Sequence, residues 1–88
     1  MAKRIFYDSD FVKSIKKLPS QVQNKLKELE LIFRIDPFSP RLKTHKLHGK
    51  LKNYYAFSIN YKYRVIFKLI KKGDIIVFVD IGTHEIYE

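Results

Sequence analysis

The stretch YRVIFKLIKKGDIIVFVDIGT, residues 63–83, decides how this chain folds. Two runs rich in Val, Ile, Leu and Phe, 63–70 and 75–81, flank the turn-forming residues 72–74, Lys-Gly-Asp, and this pattern predicts a β-hairpin. Val65, Phe67 and Leu69 share one face of the first strand, and Val77, Val79 and Ile81 share one face of the second. A slip of one residue would put one of these sets in water. The expected register therefore pairs Val65 with Ile81, Phe67 with Val79 and Leu69 with Val77, with Gly73 free to take a left-handed backbone angle. On the opposite face Arg64 then lies across from Gly82, and His84 across from Lys62. Diagonal neighbours in such a pair are roughly 7–8 Å apart at the backbone, so Arg64 and His84 are expected on one surface, away from any helices.

Upstream, residues 54–59 read as a third strand and 60–62 as a turn. Residues 41–53 read as a loop or a short edge strand with a turn near Gly49. At the N-terminus, residues 4–7 form a first strand, and Asp8, Ser9 or Asp10 can cap the helix that follows. Phe11, Ile15 and Leu18 recur at helical spacing up to Pro19. Val22, Leu26, Leu29 and Phe33 mark the apolar face of a second, longer helix, which Asp36-Pro37 and Pro40 bring to an end. The expected architecture is an α+β fold in the order β-α-α-β-β-β. Two N-terminal helices pack on one face of a twisted, mainly antiparallel sheet, and residues 1–88 make one domain.

The charge is unevenly placed. The chain carries a net +9, and between Pro37 and Gly73 there is no carboxylate but ten cations: Arg41, Lys43, Lys46, Lys50, Lys52, Lys62, Arg64, Lys68, Lys71 and Lys72. Such a stretch is either a basic surface for a polyanion or a solvated lysine-rich face. The sequence has no cysteine, which removes disulfides, thiolate metal sites and a thiol nucleophile. No apolar run is long enough to span a bilayer. Met-Ala-Lys-Arg leads directly into a strand rather than an apolar signal region, so a cytoplasmic protein is expected.

An Arg and a His on one sheet face suit phosphate chemistry. RNA cleavage by its own 2′-hydroxyl needs a base for the 2′ proton, a donor for the charged phosphorane and an acid for the 5′ oxygen. Histidine transfers protons near neutral pH, and arginine offers a fixed fork to phosphate oxygens. This chemistry requires no cofactor. A metal shared by His45 and His48 would need a third ligand from elsewhere. The plainer alternatives are a surface His, an Arg64 paired with Asp80, and a Tyr87 that packs an edge.

The order of elements, the segment Tyr63-Arg64-Val65-Ile66-Phe67 and the ending Ile81-Gly82-Thr83-His84-Glu85-Ile86-Tyr87 resemble the RelE/ParE superfamily of toxins from type II toxin–antitoxin systems, over nearly the whole chain. The resemblance implies a metal-independent endoribonuclease that cuts ribosome-bound mRNA in the decoding site. It also implies an acidic antitoxin as partner and operator DNA bound only through that antitoxin. Arg64 matches the phosphate-contacting Arg, and His84, after Gly82-Thr83, matches the catalytic His of the YafQ-type branch. His45, before Leu47 and Gly49, matches a second catalytic His, and Tyr87 resembles a C-terminal catalytic Tyr. Lys43, Lys46, Lys50, Lys52 and Lys62 would hold RNA backbone. The chain departs from RelE at two catalytic lysines, near which it carries Tyr55 and Phe57, and from YafQ at a further His, near Ser58, and at an Asp-Trp pair, near Lys62-Tyr63. A gyrase poison of the ParE kind, or a non-catalytic chain that only holds an antitoxin, remain the alternatives.

Overall fold

Strict alternation holds along one strand of the central hairpin and breaks in the other. The computed structural model describes residues 4–83. In it, β4 (Tyr63–Ile70) pairs antiparallel with β5 (Ile75–Thr83). Arg64 faces Gly82 and Val65 faces Ile81, as expected, but Phe67 faces Phe78 and Leu69 faces Ile76. The register shifts between Ile66 and Phe67, so Val79 is the extra residue of a β-bulge. The expected pairs Phe67–Val79 and Leu69–Val77 are thus corrected. The cause is Asp80, which shares its parity with Ile76 and Phe78. An unbroken strand would either bury that carboxylate with them or turn both apolar side chains away from the core. With the bulge, Ile76, Phe78 and Ile81 are buried, while Asp80 accepts hydrogen bonds from Ser14 Oγ at 2.6 Å and from the Ile81 amide at 2.8 Å. The turn is correspondingly longer than 72–74. Ile70 pairs with Ile75, and Lys71, Lys72 and Gly73 all take positive φ, with Gly73 at +91°.

The five-stranded sheet has the order β1-β5-β4-β3-β2. β1 (Arg4–Tyr7) lies parallel to β5, and β3 (Tyr55–Ser58) lies antiparallel to β4. β2 is the two-residue edge strand His45–Lys46. Helix α1 (Ser9–Lys16) starts at Asp8, whose side chain accepts from the Ser9 amide. α2 (Ser20–Ile35) follows Pro19 at its N-cap position and buries Val22, Leu26, Leu29 and Phe33, the four residues of the expected stripe. Phe33, fully buried, centres the core, with ring centroids 5.0–5.1 Å from those of Phe57, Phe67 and Phe78. At the far edge Tyr7 fastens β1 to α2. Its hydroxyl donates to Glu30 Oε2 at 2.8 Å, and Arg34 Nη2 donates to both at 3.1–3.2 Å. Burial, and then the Glu30 hydrogen bond, raise the Tyr7 pKa above the ordinary tyrosine value.

The face of the sheet opposite the helices is only partly open. Leu47, Ala56 and Ile66 form a second buried cluster there, covered by Leu51 and Tyr54 from the loop after β2.

Candidate functional site

Arg64 stands near the start of β4, between Ser58 on β3 and Gly82 on β5. Both neighbours are small, and the guanidinium stem is half-buried among them. Its Nε is buried and finds no hydrogen-bond partner among the described residues. A buried N–H donor without a partner is costly, so this side chain is held in place by its surroundings rather than by its own bonds. The paired state with Asp80 is not what forms: Asp80 is bonded to Ser14 and to the backbone of Ile81.

A groove of about 710 Å³ opens around Arg64. Among the described residues it is also lined by Lys25 and Leu29 of α2, Arg41 and Lys43 of the loop before β2, Ser58 and Ile59 at the end of β3, Asn60, Tyr61 and Lys62 of the β3–β4 turn, and Thr83. Five of these side chains are cationic and none is acidic. The Arg64 surface is therefore not remote from the helices as expected, because α2 forms one bank of the groove. Lys25 reads in the sequence as part of the wet face of an amphipathic helix. Nothing in its spacing says which wet residue meets a sheet edge forty residues away. The turn itself is tied down by Asn60, whose Oδ1 accepts from the amides of Lys62 at 2.9 Å and Tyr63 at 2.8 Å. Lys62 Nζ lies 5.3 Å from the centroid of the Tyr63 ring.

The remaining sequence-derived residues are spread out. His45 is exposed on the edge strand, opposite Ala56. It therefore shares the sheet face of Arg64, two strands away and one alternation step along, roughly 12 Å at the backbone from standard strand spacings. Its Nδ1 lies 3.1 Å from the Lys43 carbonyl oxygen. A carbonyl can only accept, so this contact needs the proton on Nδ1 and leaves Nε2 to take up or pass on a proton. Lys46 lies opposite Tyr55, on the helix side of the edge. Lys50 and Lys52 are exposed on the loop that covers Ile66 and do not line the groove. Lys71 and Lys72 sit at the other end of β4 from Arg64, so the acid-free stretch is not one continuous basic surface. Of the five lysines expected to hold backbone, Lys43 and Lys62 reach the groove. On β3, Tyr55 and Phe57 pack into the helix-side core, and the positions on Arg64's face are Ala56 and Ser58, neither of them cationic. His84 and Tyr87 lie outside the described residues. Thr83, immediately before His84, lines the groove.

Fold and groove together define a small basic α+β protein with a cationic cleft at one end of a mixed sheet. The sequence matches no protein-family model and no curated protein, but solved structures match it along nearly its whole length. It is 28% identical to YafQ from E. coli strain BL21(DE3), with 96% of each chain covered and a TM-score of 0.75. It is 30% identical to the matching chain of the E. coli DinJ–YafQ complex, again over 96% of each, with a TM-score of 0.74. The archaeal RelE–RelB complex from Pyrococcus horikoshii OT3 shares the fold at 22% identity, with 94% of this chain and 96% of that chain covered and a TM-score of 0.76. The chain belongs to the RelE/ParE superfamily of toxin–antitoxin toxins.

Proposed function

We propose that this protein is the toxin of a type II toxin–antitoxin system and a metal-independent endoribonuclease that cuts mRNA on the ribosome, in the cytoplasm. The observation that carries the proposal is the groove. Lys25, Arg41, Lys43, Lys62 and Arg64 line it with no carboxylate among the described residues, and the Arg64 guanidinium is a preorganised fork of donors for an anion in the groove. A neutral cavity or one edged with acids would not favour a ribose–phosphate chain.

In the proposed reaction a histidine takes the 2′-hydroxyl proton, and the 2′ oxygen attacks the adjacent phosphorus. Arg64 steadies the extra charge on the phosphorane oxygens. The P–O5′ bond breaks as a second group protonates the 5′ oxygen, leaving a 2′,3′-cyclic phosphate and a 5′-hydroxyl. His84 is assigned the role of base or acid and His45 that of the second proton-transfer group, with Tyr87 positioning or stacking on a base. One solved structure similar to this chain is a YafQ variant with a histidine replaced by glutamine, which agrees with a functional His in this branch. The partner is proposed to be an acidic antitoxin segment lying over the groove, since two of the similar structures are toxins bound to DinJ and RelB. Operator DNA would then be reached only through the antitoxin.

The test is 5′-end mapping of cellular RNA after a brief pulse of expression. New ends should appear within coding sequences. His84→Ala should lower cleavage on the order of 10²- to 10⁴-fold, and Arg64→Ala on the order of 10²- to 10³-fold. Unchanged RNA ends with impaired plasmid relaxation would replace this reading with a gyrase poison.

A further inference from the structure

Eight large apolar or aromatic side chains are exposed among the described residues, and Tyr61 alone of them lines the cationic groove. It is also the barest, at 94% exposed. No packing role accounts for the ring, and the backbone that carries it is tied down. Asn60 closes the turn on both sides of it through two side-chain-to-backbone hydrogen bonds, and the Ile59 amide donates to the Tyr63 carbonyl at 2.9 Å. Three residues of chain span at most about 11 Å, so a base resting on Tyr61 leaves its own or the adjacent phosphate within reach of Arg64.

We propose that Tyr61 is a base-stacking platform, and that the groove therefore takes unpaired rather than duplex nucleic acid. This rests on the reading of the groove as a nucleic-acid site. An exposed ring beside a row of cations is the arrangement by which proteins hold single strands, because every base has a face to stack while the cations follow the backbone. A duplex keeps its base faces inside the helix and offers the ring nothing to stack on. A pre-ordered turn adds to this, because its backbone is not an ordering cost at the moment of binding and only the two side-chain torsions of the ring remain to be fixed.

The experiment uses a 2′-O-methyl RNA hexamer, which cannot be cleaved by 2′ attack, with 2-aminopurine placed at each position in turn. Stacking on Tyr61 quenches one position more than the others. Tyr61→Leu keeps an apolar side chain but loses the aromatic face, and should weaken binding roughly five- to a hundredfold. Tyr61→Phe and Tyr61→Trp should bind as tightly as the wild type, and the same hexamer annealed to its complement should bind more weakly. Tyr61→Leu binding as well as Tyr61→Phe, equal binding of the duplex, or no binding by the wild type would each overturn the proposal. The two readings fail separately. If Arg64→Ala loses the hexamer and Tyr61→Leu does not, stacking is wrong and the nuclease reading stands. If no RNA ends appear in cells but Tyr61→Leu still binds worse than Tyr61→Phe, the nuclease reading is wrong and stacking stands.

Discussion

Replacing Arg64 by Met should sharply lower activity while leaving the protein as stable as before, or more so. The Nε–H of Arg64 is buried without a partner among the described residues, and an unsatisfied buried donor costs about 1–3 kcal/mol. Met fills most of the same length with apolar atoms, so little of the packing of the stem is lost. The sum is a stability change between about zero and a gain of 2 kcal/mol. Activity moves the other way. Loss of one preorganised charge-stabilising donor costs on the order of 10²- to 10³-fold. Arg64→Lys, which keeps a charge but not the fork, should fall between the wild type and Met. Stability is read by urea unfolding followed by circular dichroism, and activity by RNA end mapping and growth arrest. A Met variant destabilised by more than about 1 kcal/mol would show that the buried Nε sits in a satisfied, structural network. A Met variant that cleaves as fast as the wild type would remove Arg64 from the chemistry.

Phe33→Ala, which empties the place between three facing rings, should cost about 3–5 kcal/mol. For a chain of this size that lowers Tm by roughly 15–30 °C, and a thermal melt showing a drop of only a few degrees would contradict the central place of that ring. Tyr7 has a pKa raised in the folded state, so the stability it contributes is whole below the unfolded tyrosine value, about 10, and is lost as pH rises through the folded value. Urea midpoints of wild type and Tyr7→Phe should therefore converge above about pH 10, and a gap that widens there has the sign wrong. Gly73→Ala places a Cβ at a φ of +91° with open space around it, so only backbone strain is added, and the cost should be about 1–2 kcal/mol by denaturant titration. If all five groove cations meet phosphates of a single strand, log K should fall with log salt at a slope of about −3.5, and a slope shallower than about −1.5 would mean that most of them do not.

The parts of this molecule legible in its sequence are those where one physical demand acts alone. The α2 stripe of Val22, Leu26, Leu29 and Phe33 had only to bury one helix face, and its spacing states that directly. The groove is harder, because three of its walls come from segments with no shared pattern. Lys25 looks like any wet helical residue, and Tyr61 like any turn residue, until the turn is seen beside Arg64. The acid-free run from Pro37 to Gly73 is a real signal, but a strand alternates and a hairpin reverses. Such a run is therefore divided between both faces and both ends of the sheet. Arg41, Lys43, Lys62 and Arg64 meet at one end, Lys71 and Lys72 go to the other, and Lys46 turns to the opposite face.

The β4–β5 hairpin shows why the site end was readable when the turn end was not. Two demands compete along β5: Ile76 and Phe78 belong in the core, and so does Ile81, yet the first two share parity with Asp80 and the third does not. Alternation can meet only one of these, so a reading based on alternation alone must misplace something. The chain meets both by inserting Val79. The error is thereby confined to the turn side of the bulge, where Phe67 and Leu69 gain partners shifted by one. Beyond it the phase is restored, and Val65–Ile81 and Arg64–Gly82 pair as the apolar match demands. Deleting Val79 should therefore remove the bulge and leave a regular ladder, with Phe67–Phe78 and Ile66–Asp80 as successive pairs and Arg64 still opposite Gly82. Phe78 and Ile81 then share a face by plain alternation, and a variant whose groove or Arg64 pairing changed would show that Val79 does more than restore the phase.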